Sequence, residues 1–309
     1  MLDLCDDLKF PNLEDDFHIT EKRGEVISFI DEENNVWIKK KKIQEGGYGK
    51  VIEFKSHNPE YADLAVKFFT AEAEEAYEDM QQEAEVVNLF NKYRCKNFIK
   101  IGVKEIMRNE KIIIMEKIDG DVYGLNFEKF PNPLKVYQKL IQFIVSGLRC
   151  GIRRDRYFVD FKEENMGYKN CKEGIRFTFL DFGSFVDIND NDYAATYLIN
   201  SKAYDKDYFP KETLMVFSII ITLLNIRLKI QSKKQHEKFD EYISYLKHLN
   251  NYPRTTLLTE DYYQKIKEIF FEYFKKEDRF IDILFSCLRE LTFSKPDVRR
   301  FLTKIDYYK

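Results

Sequence analysis

The sequence predicts an α+β protein of two lobes: a small antiparallel β-sheet lobe with one main helix, then a larger, mostly helical lobe. Three observations predict it. Short runs rich in β-branched and aromatic residues, separated by turn residues, fill the first third. One stretch among them, 70–93, has no Gly or Pro and is rich in Glu and Ala, as a helix requires. From Lys211 onward the pattern reads as helix. The change of pattern near 117–121 divides the chain into an N-terminal tail or extension (1–24), a first lobe (25–118) and a second lobe (119–309).

Taken in order, residues 1–24 are acidic and weakly patterned. Residues 25–43 read as a hairpin. Val26, Ile27, Phe29 and Ile30 precede a Glu33-Asn34-Asn35 turn, and Val36, Trp37 and Ile38 follow it. A second strand pair, 42–54 and 62–69, surrounds a glycine turn. Two further strands, 98–107 and 111–117, flank the turn Arg108-Asn109-Glu110-Lys111. Pro131 and Pro133 introduce a helix over about 134–150. The region 153–210 is loop-rich. The apolar run 214–226 contains Ser218, Thr222 and Asn225; its 13 residues are too short to span a bilayer and read as a buried helix. No internal repeat or low-complexity segment is present.

Composition narrows the function classes. The chain has 309 residues, 44% hydrophobic and 33% charged, which suits a globular protein with a substantial core. A net charge of −3 carries no bias toward nucleic acid. The five cysteines are scattered without a CxxC pair, so spacing supports neither a disulfide framework nor a zinc site and a reducing compartment is expected. Asp3, Asp6 and Asp7 stand where a signal peptide needs positive charge. The expectation is a cytoplasmic protein with no membrane segment. His18, His57, His236 and His248 are isolated and read as surface residues. The C-terminal aromatics, such as Phe270, Phe271 and Phe274, read as helix packing rather than a nucleic-acid platform. Lys39–Lys42 reads as a solvated strand end.

Three segments carry chemistry, and their order matters more than any one alone. The first is Gly46-Gly47-Tyr48-Gly49-Lys50-Val51, followed by Ala65-Val66-Lys67. Glycines between strands let backbone N–H groups approach phosphate oxygens without a Cβ in the way, although a GGYG taken alone reads rather as a plain hairpin turn. Lys67 has apolar neighbours on both sides and needs a partner charge. Glu83 can supply one, because Val86, Val87 and Phe90 lie at +3, +4 and +7 from it and place it on the apolar face of its helix. Glu85, with Leu89 at +4, competes for the role. The second segment is Asp160-Phe161-Lys162-Glu163-Glu164-Asn165, which offers a carboxylate to orient a hydroxyl proton, a cation and an amide oxygen. The third is Leu180-Asp181-Phe182-Gly183, behind the strand Phe177–Leu180. Asn165 and Asp181 are oxygen ligands of the kind Mg²⁺ prefers.

Together these segments resemble the protein kinase superfamily over residues of about 36–302. The resemblance implies a bilobal protein kinase-like fold and an ATP-dependent serine/threonine protein kinase. Gly46, Gly47, Gly49 and Val51 match the loop that covers the nucleotide, with Ala65 on the following strand. Lys67 matches the strand lysine and Glu83 its helix partner. Met115 is then the gatekeeper, and the backbone of Glu116 and Ile118 binds adenine. Asp160 and Lys162 match the catalytic loop, in the Ser/Thr pattern, and Asn165 and Asp181 the Mg²⁺ ligands. The cofactors implied are ATP and Mg²⁺, and the partner is a protein substrate with a Ser/Thr hydroxyl. No nucleic acid or membrane partner is implied, and the oligomeric state is left open. Arg299, in Pro296-Asp297-Val298-Arg299, resembles an arginine that pairs with an acid closing the activation segment, here Asp205.

Departures also count. Gln44 stands for the first glycine, Phe158-Val159 for the usual His-Arg, and Met215 for the aspartate that holds the catalytic loop. A phenylalanine can fill the packing role of the histidine. Loss of the arginine removes the receptor for an activation-loop phosphate, so activity is expected without phosphorylation at Thr196, Tyr197 or Ser201. Such drift is typical of kinases from large DNA viruses or of bacterial effectors; the viral reading, which puts the protein in a host cytoplasm, is preferred. A pseudokinase acting as a nucleotide-binding or protein-interaction scaffold is the rival reading. A small-molecule kinase is a third, disfavoured by Lys162 and the glycine loop.

Overall fold

The computed structural model describes residues 8–12, 17–46, 49–69, 74–93, 95, 101–105, 111–171, 174–189, 199–201, 211–249 and 256–307. The chain is α+β, with seven α-helices among the described residues. It divides into two compact units: Met1–Gly120 with Gly167–Gly183, and Asp121–Met166 with Ser184–Lys309. The sequence pattern placed one crossing near 117–121. The return of 167–183 to the first unit lies inside what reads in sequence as loop.

The first unit is built on a seven-stranded sheet. Its strands are β1 (His18–Lys22), β2 (Glu25–Ile30), β3 (Val36–Gly46), β4 (Gly49–Ser56), β5 (Leu64–Phe69), β6 (Ile101–Glu105) and β7 (Lys111–Glu116). Their order is β1-β2-β3-β4-β5-β7-β6, and the pairs are antiparallel. Helix α1 (Glu74–Lys92) falls between β5 and β6 in the chain and packs on both. Residues 70–73, 98–100 and 106–110 lie outside the described residues, so the expected strand ends and the turn 108–110 do as well.

Strand β1 stands where the sequence showed only a weakly patterned tail or extra element. Its signal is Arg23-Gly24: φ is 55° and 78° at these two positions, as a two-residue I′ hairpin turn demands, and glycine takes the second at little cost. The strand covers aromatic residues. Phe29 and Phe54 stack edge-on at 4.6 Å, Trp37 meets Tyr61 at 5.7 Å, and Phe17 lies against both Phe29 and Trp37. Trp37 is fully buried and satisfies its indole by donating Nε1–H to Ala62 O at 2.9 Å. Phe10, Phe17 and Ile19 close this cluster.

A second sheet has the order β11-β10-β8, formed by β8 (Gly120–Asp121), β10 (Met166–Cys171) and β11 (Gly174–Phe179). Within the first unit the β10–β11 hairpin is pinned to β7. The Glu116 carboxylate pairs with Lys169 and, at 2.7 Å, with Arg176.

The second unit is helical, with short strands at its loops. Helix α2 (Pro133–Ile152) starts where the prolines indicated; the Asn132 side chain accepts from Lys135 N, and Pro133 occupies the first turn. Strands β9 (Arg156–Phe158) and β12 (Phe185–Asp187) pair antiparallel. Helix α3 (Lys211–Gln231) is the axis of the unit, and from Thr213 to Leu228 its side chains are buried. By length and composition α3 is apolar enough to cross a membrane, yet 89% of that window is buried within the structure. Tyr137 of α2 donates to Leu223 O of α3 at 2.8 Å. Helix α4 (Lys233–Leu249) follows. Strand β13 (Ile199–Ser201) then pairs in parallel with β14 (Thr256–Leu258), and α5 (Glu260–Tyr273), α6 (Arg279–Glu290) and α7 (Val298–Asp306) complete the unit. Thr259, Asp278 and Asp297 cap these last three helices.

Two expectations need correction. Cys95, Cys150 and Cys171 carry disulfide bonds, whereas Cys287 is a buried free thiol. Spacing argued against a disulfide framework because it reveals only cysteines close in sequence; cysteines brought together by the fold leave no such signature. His236 is buried at 5% exposure rather than on the surface.

Candidate functional site

In the first unit the glycine turn closes β3 on β4. Gln44 faces Val51, Glu45 faces Lys50 and Gly46 faces Gly49 in the ladder, while Gly47 and Tyr48 lie outside the described residues. Gly49 has a φ of 155°, and a Cβ there would collide with the carbonyl oxygen of Phe68 on β5. Glycine is therefore required at this position by the sheet itself. Val51 pairs with Lys67, and Ala65 sits between Glu53 and Met115.

Lys67 forms an ion pair with Glu83. The strand side chain keeps 22% exposure and the helix carboxylate 5%, and the ammonium lies over the Phe69 ring at 5.0 Å. Glu83 shares its α1 face with Val86, Val87 and Phe90, all buried, whereas Glu85 is exposed. Phe182, fully buried, packs on Phe90 with centroids 6.4 Å apart. The segment Asp181-Phe182-Gly183 is thereby anchored on the helix face that carries Glu83. Met115 is buried between Ala65 and Ile101. Around Ile118, the flanking amides of Lys117 and Asp119 donate to Asp63 O and Tyr168 O, each at 3.0 Å.

In the second unit, Val159 N donates to Ser184 O at 3.0 Å and extends the β9–β12 pairing up to the acidic loop. Lys162 Nζ lies 2.6 Å from Asp160 Oδ2. A 3₁₀ turn, Glu163–Asn165, then folds Asn165 back: its Nδ2 donates to Asp160 O at 2.8 Å and lies 3.4 Å from Asp160 Oδ2. This fixes which end of the carboxamide is the acceptor end. Phe158, at the position of the expected histidine, is fully buried and stacks edge-on with Phe185 at 4.5 Å and Phe161 at 5.7 Å.

The residues that hold this loop were not legible as functional in the sequence. Met215 is buried and apolar. Farther along α3, Thr222 donates to Phe161 O at 3.4 Å, Asn225 Nδ2 to Glu163 Oε1 at 3.0 Å, and Lys229 Nζ lies 3.5 Å from Glu163 Oε2. Burial pushes the Glu163 carboxyl up from 4.5 to about 8, with Lys229 pulling the other way. Burial likewise lowers the His236 imidazole, which meets Asn225 Oδ1 at 2.9 Å. The available signal was a polar stripe in an apolar helix, Thr222, Asn225 and Lys229 at intervals of three and four.

Thus Gly46, Gly49, Val51, Ala65, Lys67, Glu83, Met115, Glu116, Ile118 and Asp181 belong to the first unit, and Asp160, Lys162 and Asn165 to the second. Arg299 is exposed on α7, and its expected partner Asp205, with Thr196 and Tyr197, lies outside the described residues. No family model matches the chain, and no curated protein matches its sequence.

Proposed function

We propose that the chain is an ATP-dependent serine/threonine protein kinase with a bilobal, protein kinase-like fold, its two compact units being the two lobes. The observation that carries this reading is the Lys67–Glu83 pair on the α1 face that also seats Phe182, next to Asp181. A strand lysine held by a helix glutamate is oriented to meet nucleotide phosphates. The flanking ladder, with a glycine turn before it and Met115-Glu116-Lys117-Ile118 beyond, supplies a cover for phosphate and an edge for adenine.

Each residue then has a role. Asp160 accepts and orients the proton of the substrate hydroxyl. Lys162, already beside Asp160, neutralises charge spreading onto the transferred group. Asp181 and Asn165 would hold Mg²⁺, and the donor set fits: one carboxylate and one carboxamide whose nitrogen is directed at Asp160 O, both hard oxygen donors. When bound, Mg-ATP supplies the γ-phosphoryl group and the metal's charge compensation. With Phe158 and Val159 in place of a His-Arg pair, the arginine that would receive an activation phosphate is replaced by an apolar residue, which supports activity without one.

The test is incubation with labelled ATP and Mg²⁺, with and without a generic Ser/Thr protein substrate. Wild type is expected to transfer label to serine or threonine, and Asp181→Ala to abolish transfer while staying folded. Equal labelling by the variant defeats the site assignment. Nucleotide binding without any transfer makes the chain a scaffold.

A further inference from the structure

We propose that Asn225 is a positioning residue for the loop 160–165, and that the stripe Thr222, Asn225 and Lys229 on α3 suspends that loop. The proposal rests on the assignment of Asp160 and Asn165 to phosphate transfer. Helix α3 is apolar and buried, so a polar side chain facing inward must find a partner. These three residues share one helix face, and all three end on the loop or on the segment beside it. Thr222 reaches Phe161 O, Asn225 reaches Glu163, and Lys229 reaches Glu163 and, at 3.2 Å, Val122 O.

Asn225 is the hub because both ends of its amide are held. Its oxygen meets His236 Nδ1 at 2.9 Å, and its nitrogen is shared between Glu163 Oε1 and Asp240 Oδ1, the latter at 3.3 Å. Glu163, only 3% exposed, opens the 3₁₀ turn that ends in Asn165, and Asn165 in turn binds Asp160. A line of directed contacts therefore runs from α4 through Asn225 and Glu163 to the reacting carboxylate. An apolar residue at 225 could fill the volume, but it could not set where along α3 the loop sits. Buried polar contacts are directional and specify one arrangement.

The experiment compares wild type, Asn225→Leu, Asn225→Ala, Glu163→Gln, Glu163→Leu and the double variant Asn225→Leu/Glu163→Leu. Amide hydrogen exchange is followed over residues 158–166, together with kcat and KM for ATP. Asn225→Leu is expected to raise exchange in the loop about tenfold or more while α3 and α5–α7 keep their protection. It should lower kcat about 10- to 100-fold with KM for ATP within about twofold, because misplacement by about an ångström is costly in the chemical step. Glu163→Gln keeps an acceptor for Asn225 but turns its amide nitrogen toward Lys229, so its loop exchange and kcat should lie between those of wild type and Asn225→Leu. Glu163→Leu should match Asn225→Leu, and the double variant should be no worse than either. If Asn225→Leu does not fold, Asn225→Ala makes the same comparison. Wild-type exchange and kcat in both Asn225 variants would overturn the proposal, as would a uniform loss of protection across the unit. Should wild type transfer no phosphate, the kinase reading fails, and the exchange measurement still decides the anchor.

Discussion

Glu163→Gln is expected to stabilise the protein increasingly as pH rises from about 4.5 to about 8. Burial lifts the Glu163 carboxyl to about 8 in the folded chain, against 4.5 when unburied, and Lys229 at 3.5 Å offsets only part of that cost. A carboxyl whose folded value is raised binds its proton more tightly in the fold than out of it. Its contribution is fully present below about 4.5 and is lost as pH rises through about 8. Each pH unit in that window costs about 1.4 kcal/mol. At pH 7 the wild type has thus given up on the order of 3 kcal/mol relative to acid conditions. Glutamine has the shape of the protonated acid and never ionises. Urea unfolding of both proteins, followed by far-UV circular dichroism at pH 5, 7 and 8, measures the difference. The variant should match wild type to within about 1 kcal/mol at pH 5 and exceed it by on the order of 3 kcal/mol or more at pH 7 to 8. A difference that is flat with pH, or a variant less stable than wild type at pH 8, refutes the reasoning.

Three further outcomes are expected in the first unit. Lys67→Met removes the cation paired with Glu83, a carboxylate at 5% exposure, and should cost about 3 kcal/mol. Glu83→Gln leaves Lys67 at 22% exposure over Phe69 and should cost about 1–2 kcal/mol, so the reverse ranking in urea unfolding would be decisive against the burial argument. Phe182→Ala should cost about 3–5 kcal/mol and Phe182→Leu under about 1.5 kcal/mol; near-equal values would show that Phe182 is not seated on Phe90. Gly49→Ala adds a backbone collision with Phe68 O to an unfavourable φ and should lower the thermal midpoint well beyond Gly24→Ala, whose new Cβ meets nothing within 4 Å. Equal midpoints would remove the steric argument.

What could be read from the sequence were the features that recur at short range. The α1 stripe 83, 86, 87, 90 follows from helix periodicity, and Pro131 and Pro133 mark the start of α2. The Lys67–Glu83 pairing was inferable because an inward charge on each element needs a partner. Features set by tertiary structure were not legible. The return of 167–183 to the first unit depends on Glu116 meeting Lys169 and Arg176, residues more than fifty positions away along the chain. The parallel pairing of β13 with β14 joins Ile199 to Thr256, and three-residue strands carry too few residues to show alternation. Asn225 looked like a break in an apolar run because its meaning lies in Glu163 and His236, which no periodicity reveals.

The hairpin that begins at His18 has a practical meaning for anyone trimming this protein. Cutting at residue 24, where the sequence pattern invites the knife, would strip Phe10, Phe17 and Ile19 from Trp37 and Phe29 and leave β2 as a raw margin of the sheet. Unpaired strand margins beside uncovered aromatics recruit neighbouring molecules. A shortened version should therefore clump at concentrations where the full chain stays dispersed, and what looks like an appendage is the lid on the first unit's interior.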